Sequence, residues 1–91
     1  MTAMGQSAIN LLYFARLKDD LGKPGESLDL PEGVSTVAGL RAHLMQRGGI
    51  WNESLASHRA LRVAVNQEMA QPGTPVKPGD EVAFFPPVTG G

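Results

Sequence analysis

The chain has 91 residues, 42% of them hydrophobic, and a formal net charge of −1. That is one small domain, which buries about 60–65% of its unfolded surface and leaves little room for a deep catalytic cleft. Its basic residues are scattered rather than gathered into a nucleic-acid-binding stripe, no apolar run approaches the ~20 residues of a membrane span, and the absence of cysteine excludes disulfides, thiolate metal sites and cysteine nucleophiles.

Residues 1–7 are polar and uncharged and carry no secretory pattern. Ile9 stands where a myristoylation motif beginning at Gly5 would need a hydroxyl. They read as a flexible extension, and a cytoplasmic setting is expected. Ile9 to Phe14, rich in aliphatic and aromatic residues, predicts a strand. Ala15 to Leu21 predicts a short helical turn stopped by Gly22. Glu26 to Leu30 predicts a second strand ended by Pro31, paired with the first across the Gly22–Gly25 loop.

Thr36 to Arg47 predicts the main helix. Thr36 or Ser35 can cap it, because a hydroxyl can accept from an orphan N–H of the first turn. Val37, Leu40 and Leu44 form one apolar stripe, and Gly48-Gly49 ends the helix. Gly39 inside it costs about 1 kcal/mol relative to alanine, which close packing on a sheet would explain. Residues 50–58 fit either a short helix or a packed loop. Leu61 to Val65 alternates and predicts a strand with Leu61, Val63 and Val65 inward. Glu81 to Phe85 predicts the last strand. The order strand, strand, helix, strand, strand gives an α+β domain over residues 8–85, a mixed sheet with one main helix on one face.

Few residues suggest a catalytic or metal centre. His43 and His58 lack the spaced partners that a metal site needs and read as surface residues. Asp19-Asp20 and Asp80-Glu81 read as solvated turns, and Trp51 as a packing anchor. No metal or bound cofactor is expected.

The chemistry lies in residues 86–91. Phe85 precedes a proline and is held extended. Pro86 and Pro87 cannot continue a ladder and predict a stiff, solvated spacer. Pro86, Pro87, Val88, Thr89, Gly90 and Gly91 together reach ~20 Å beyond the domain. Gly90 and Gly91 have no side chains, so such an end can thread a channel too narrow for any Cβ. A carboxylate on Gly91 could be activated by ATP as an acyl-adenylate and converted by a sulfur source to a thiocarboxylate, a sulfur nucleophile that needs no cysteine.

The alternation of the first and last strands also matters. With Ile9, Leu11 and Tyr13 inward, Leu12 and Phe14 face out; with Val82 and Phe84 inward, Phe85 faces out. If these strands are neighbours, the outward residues form an apolar patch of the kind that marks interfaces.

The ending Phe84-Phe85-Pro86-Pro87-Val88-Thr89-Gly90-Gly91, after Gly79-Asp80-Glu81-Val82-Ala83, closely resembles that of the small subunits of molybdopterin synthase. Ile9 to Ala15, Thr36 to Arg41 and Ala64-Val65-Asn66-Gln67 also resemble that family, so the likeness covers roughly residues 8–91. The resemblance implies a ubiquitin-like β-grasp fold and a terminal glycine, Gly91, that an adenylating enzyme activates with ATP. A sulfurtransferase then supplies the sulfur. The large subunit receives the terminus, and sulfur passes to cyclic pyranopterin monophosphate to build the molybdopterin dithiolene. Two carriers serve each pterin, which implies a tetramer of two small and two large subunits. It also implies a docking patch at Leu12, Phe14, Met69 and Phe85. The alternatives are a carrier of the same fold for thiamine, cysteine or tRNA thiolation, a ubiquitin-like modifier of lysines, and a binding module with an idle tail.

Overall fold

The computed structural model describes residues 8–56 and 60–87. The expectations for residues 1–7, for His58 and for Val88, Thr89, Gly90 and Gly91 lie outside the described residues. The elements are β1 (Ala8–Tyr13), α1 (Ala15–Leu21), β2 (Gly25–Asp29), α2 (Val37–Met45), α3 (Ile50–Ser54), β3 (Arg62–Val65), β4 (Glu68–Met69) and β5 (Glu81–Phe85). The five strands form one sheet in the order β2-β1-β5-β3-β4. β1 runs antiparallel to β2 and parallel to β5, and β3 runs antiparallel to both β5 and β4. The sheet is therefore mixed, as the order of elements predicts, and the fold is the ubiquitin-like β-grasp.

Alternation builds the core. Ile9, Leu11 and Tyr13 of β1, Val63 of β3 and Val82 and Phe84 of β5 are buried together with Val37, Leu40 and Leu44 of α2. Each such side chain contributes about 1.5–3 kcal/mol on leaving water. Thr36 caps α2, its Oγ1 accepting from the Gly39 backbone N–H at 3.1 Å. α2 ends at Met45, two residues before the predicted stop, and the next residues continue as turns through Gly48. Gly22 adopts φ 79 and terminates α1, where its N–H donates to the Lys18 carbonyl.

Four expectations are corrected. Gly39 is not a point of sheet contact: a Cβ there would meet Thr36 Oγ1 at 3.4 Å and Val34 Cγ1 at 3.6 Å, both in the segment leading into α2. The chain also folds an additional strand, β4, after a turn in which Asn66 and Gln67 take φ 52 and 72. Asp80 is not solvated. It is 5% exposed and accepts from the Lys77 backbone N–H at 2.9 Å and the Asn66 Nδ2 at 3.0 Å, with Lys77 Nζ at 3.3 Å. The Asn66 turn folds over the 77–80 turn and shuts water out. Finally, Pro86 and Pro87 are half-buried rather than fully solvated, because β5 ends beside α1 and the residues that lead into β3.

A polar cluster closes the β2 side. Arg47 donates to both carboxylate oxygens of Glu26, at 2.8 and 3.0 Å, and the Tyr13 hydroxyl donates to Glu26 Oε2 at 2.8 Å. The Arg47 guanidinium lies 4.3 Å from the Trp51 ring centroid, and Trp51 meets Tyr13 edge-on at 5.6 Å. Trp51 thus anchors α3 to β1, as its apolar body predicts. The Arg47 hydrogen bonds, helped by Tyr13, hold the Glu26 carboxyl below its ordinary range despite its partial burial. Burial, then the Glu26 hydrogen bond, pushes the Tyr13 phenol up.

Candidate functional site

The residues expected to form a docking patch lie on the face of the sheet opposite α2. Cross-strand register aligns Gly25, Leu12, Ala83, Ala64 and Met69 in a single row across β2, β1, β5, β3 and β4. The row carries no polar side chain, and three of its five members are glycine or alanine. Gly25 is required here by contact, since a Cβ would run into the Leu11 carbonyl oxygen. Leu12 is half-buried, Ala83 is buried, and Met69 is 61% exposed at the sheet's far edge.

A second row lies one pleat further along. The Phe14 N–H donates to the Phe84 carbonyl at 3.2 Å, so the β1–β5 ladder extends past Tyr13. Phe14, 47% exposed, therefore stands at the same end of the face as Phe85, and Phe85 pairs with Arg62 of β3. β1 and β5 are parallel, so their C-terminal ends coincide. Phe14, Phe85 and the start of the tail at Pro86 are gathered at one end of the sheet. The structure thus brings Leu12, Phe14, Met69 and Phe85 onto one face, continuous with the tail root. Exposed phenylalanine and methionine on an apolar sheet face are the composition of a docking surface.

Sequence reasoning gave no site role to Ala64 and Ala83, which stand in the row between Leu12 and Met69, or to Arg62, which pairs with Phe85. Alternation along β3 and β5 carried the signal for all three. Ala83 was the residue between two inward ones, and its role became visible only when its neighbours were known.

At the tail root, Pro86 and Pro87 form one wall of a cleft of about 510 Å³ whose other walls include the apolar Ala15, Leu17 and Leu61, the charged Arg16 and Asp20, and Ser54. Ala15 adopts φ 56, which is costly for a residue with a Cβ. Among the described residues no group of three or more His, Cys, Asp or Glu side chains could hold a metal ion, and no helix is long and apolar enough to cross a membrane. His43 is half-buried on α2. The arrangement can present an apolar face to a partner and project a chain end beside it.

Comparison with known proteins bears on the family and the fold. The ThiS family matches residues 11–91. The molybdopterin synthase sulfur carrier subunit of Haemophilus influenzae is 40% identical over 83 residues, covering 91% of this chain and 99% of the relative. The crystal structure of SAMP1 from Haloferax volcanii superposes with a TM-score of 0.71 at 28% identity, covering 92% and 99% of the two chains. A complex of subunits 1 and 2 of the molybdopterin-converting factor from Helicobacter pylori contains a chain that matches with a TM-score of 0.61 at 25% identity, covering 92% and 99%. The chain belongs to the ThiS family, among the sulfur-carrier small subunits of molybdopterin synthase.

Proposed function

We propose that this chain carries sulfur on the carboxyl group of Gly91 and delivers it within molybdopterin synthase. An adenylating enzyme joins the carboxylate to AMP at the cost of one ATP, releasing pyrophosphate. A sulfurtransferase supplies sulfide equivalents that displace AMP and leave a thiocarboxylate. Docked on the large subunit, the carrier presents this sulfur to cyclic pyranopterin monophosphate. Water then frees the carrier as its carboxylate while the sulfur stays on the pterin. Two such deliveries complete the dithiolene, in keeping with a tetramer of two small and two large subunits. The small subunit by itself is inactive in this scheme, because the large subunit holds the pterin.

The observation that carries the reading is the junction of the Leu12–Phe14–Met69–Phe85 face with the tail root at Pro86. A carrier has to be held by its body while its end does chemistry, and proximity is the gain from that tether. The Helicobacter pylori complex of subunits 1 and 2 supports a large-subunit partner. Incubation with ATP, the activating enzyme and a sulfur source tests the reading. The expected product gains the mass of one sulfur minus one oxygen, located on Gly91 by fragmentation. An added mass on an internal residue sinks it.

A second reading has a specific observation behind it. The likeness to SAMP1, described as a small archaeal modifier protein, favours attachment of Gly91 to lysines of other proteins. The same mass spectrometry separates the two, because a modifier leaves isopeptide adducts and a carrier leaves a thiocarboxylate. A carrier for thiamine, cysteine or tRNA thiolation would form the same thiocarboxylate but would not turn over the pterin precursor with the large subunit.

A further inference from the structure

A groove opens along the edge of the sheet beside Met69. β4 has two residues and pairs only with Ala64 and Val65, so it leaves the start of β3 uncovered. The chain after it crosses to α2, where the Ala38 N–H donates to the Pro72 carbonyl at 2.9 Å. The space left between them has a volume of about 580 Å³. Ala38, Ala42 and Met45 of α2 stand on one side and Val63, Ala70 and Pro72 on the other. Ala38 and Ala42 lie one turn apart on one helix face and are exposed, and their small side chains keep the groove open. Its polar lining is Arg41, Arg62 and Gln71, so no carboxylate faces it. Arg41 donates to the Leu55 and Ala56 carbonyls at 2.6 and 2.5 Å. Arg62 is exposed and enters no ion pair among the described residues.

Met69 and Arg62 belong both to this groove and to the docking face. A body that covers Met69, 61% exposed, reaches the mouth of the groove and would trap an apolar void if nothing entered it. We propose that the groove is a second docking point for the large subunit, filled by an aliphatic side chain whose own segment also brings a carboxylate to Arg62. This rests on the carrier reading above. An aliphatic group suits the walls, because it leaves water for an apolar surround. The carboxylate follows from charge. The groove offers cations and no anion, so a basic segment is repelled while an acidic one is steered in and held in register. Apolar contact is non-directional, so the face alone opposes sliding weakly. A side chain seated at its edge fixes the register of the whole face.

The test measures binding to the large subunit of molybdopterin synthase by calorimetry for wild type, Ala42→Phe, Arg62→Glu and Phe85→Asp, with each thermal midpoint taken in isolation. Ala42→Phe plugs the groove from an exposed helix position, so its midpoint should hold while its Kd rises at least about 10-fold. Should that midpoint fall, Ala38→Leu, one turn earlier, takes its place. Arg62→Glu should raise Kd about 5- to 10-fold at low ionic strength, and the difference should shrink as salt is added. Unchanged Kd for the plugged variant, with Phe85→Asp strongly weakened, would overturn the groove and leave the docking face standing. Unchanged Kd for Arg62→Glu would remove the acidic occupant and the proposal with it. Self-association of the free carrier that Ala42→Phe abolishes would give the groove to a second copy and overturn the proposal as well. Failure of the wild-type carrier to bind the large subunit would end both this proposal and the carrier reading.

Discussion

The Phe14 backbone N–H donates to the carbonyl oxygen of Phe84 at 3.2 Å, and this bond decides where the apolar face ends. It prolongs the only parallel pairing among the described strands by one residue and sets Phe14 beside Phe85. Both phenyl groups then stand at the point where the tail begins, so a partner that grips the face also grips the root of the tail.

Phe85→Asp should weaken association with the large subunit by at least about 30-fold, corresponding to 2 kcal/mol or more for a charge placed in a buried apolar contact. Phe85 is half-buried and faces away from α2, so the fold should survive. Val82→Asp, at a residue with 0% exposure in the core, should unfold the domain and serves as the contrast. Circular dichroism and titration calorimetry on both variants check the pair. Unfolding of Phe85→Asp would place Phe85 in the core.

Removing Gly91, or adding one residue after it, should abolish sulfur transfer and leave the thermal midpoint unchanged. One residue alters the reach by about 3.3–3.6 Å, and a displacement of ~1 Å can cost on the order of a hundredfold in rate. Single-turnover conversion of the pterin precursor, with thiocarboxylate prepared chemically, measures this without the activation step. Gly90→Ala keeps the reach and asks whether the channel admits a Cβ. Normal turnover by the shortened or extended chain would show that Gly91 is not the delivery group.

Gly39→Ala should stabilise the domain by about 0.5–1 kcal/mol, since alanine loses less backbone entropy in a helix. The added Cβ would make ordinary contacts at 3.4 and 3.6 Å. Chemical denaturation reads the gain as a higher midpoint at constant slope. A loss would mean that the methyl displaces the Thr36 cap.

Acid should unfold the protein partly through Asp80. Burial alone would raise its pKa, but the bonds from Asn66 and from the Lys77 backbone and ammonium outweigh it and hold the carboxyl below its usual range. A carboxyl depressed in the folded state contributes stability above its unfolded pKa, about 3.9. That contribution is lost as pH falls through the folded value. Asp80→Ala should therefore cost about 1–3 kcal/mol at neutral pH by leaving buried donors unpaired, and should flatten the acid limb of the stability curve. An unchanged acid limb in the variant would remove Asp80 from the account.

Much was legible along the chain because it is local. The Thr36 cap, the Val37–Leu40–Leu44 stripe and the Gly22 stop each depend on residues within two turns of one another. The bounds of β5 and the inward phase of β1 follow from alternation, which requires no knowledge of the neighbouring strand. The same phase put Leu12, Phe14 and Phe85 outward. The ending of the chain pointed to carrier chemistry, and the resemblance it carries agrees with the family that the comparisons show.

What the chain concealed depends on contacts between distant segments. β4 has two residues, too few for any period, and its turn uses Asn66-Gln67 where Asn-Gly would have announced a hairpin. Met69 was therefore reachable only by resemblance, until the register set it opposite Ala64. Lys77-Pro78-Gly79-Asp80 reads as a solvated turn until Asn66, 14 residues earlier, folds over it and buries the carboxylate. Pro86 and Pro87 read as a free spacer, yet α1 and the segment before β3 stand beside them. The sequence by itself determined β1, α1, β2, α2, β3 and β5 and the faces of their strands, because hydrophobic period, caps and side-chain type act over short range. Strand order, the joining of four apolar residues into one face and the cleft at the tail root were decided only by the tertiary structure, because each requires segments far apart in the chain to meet.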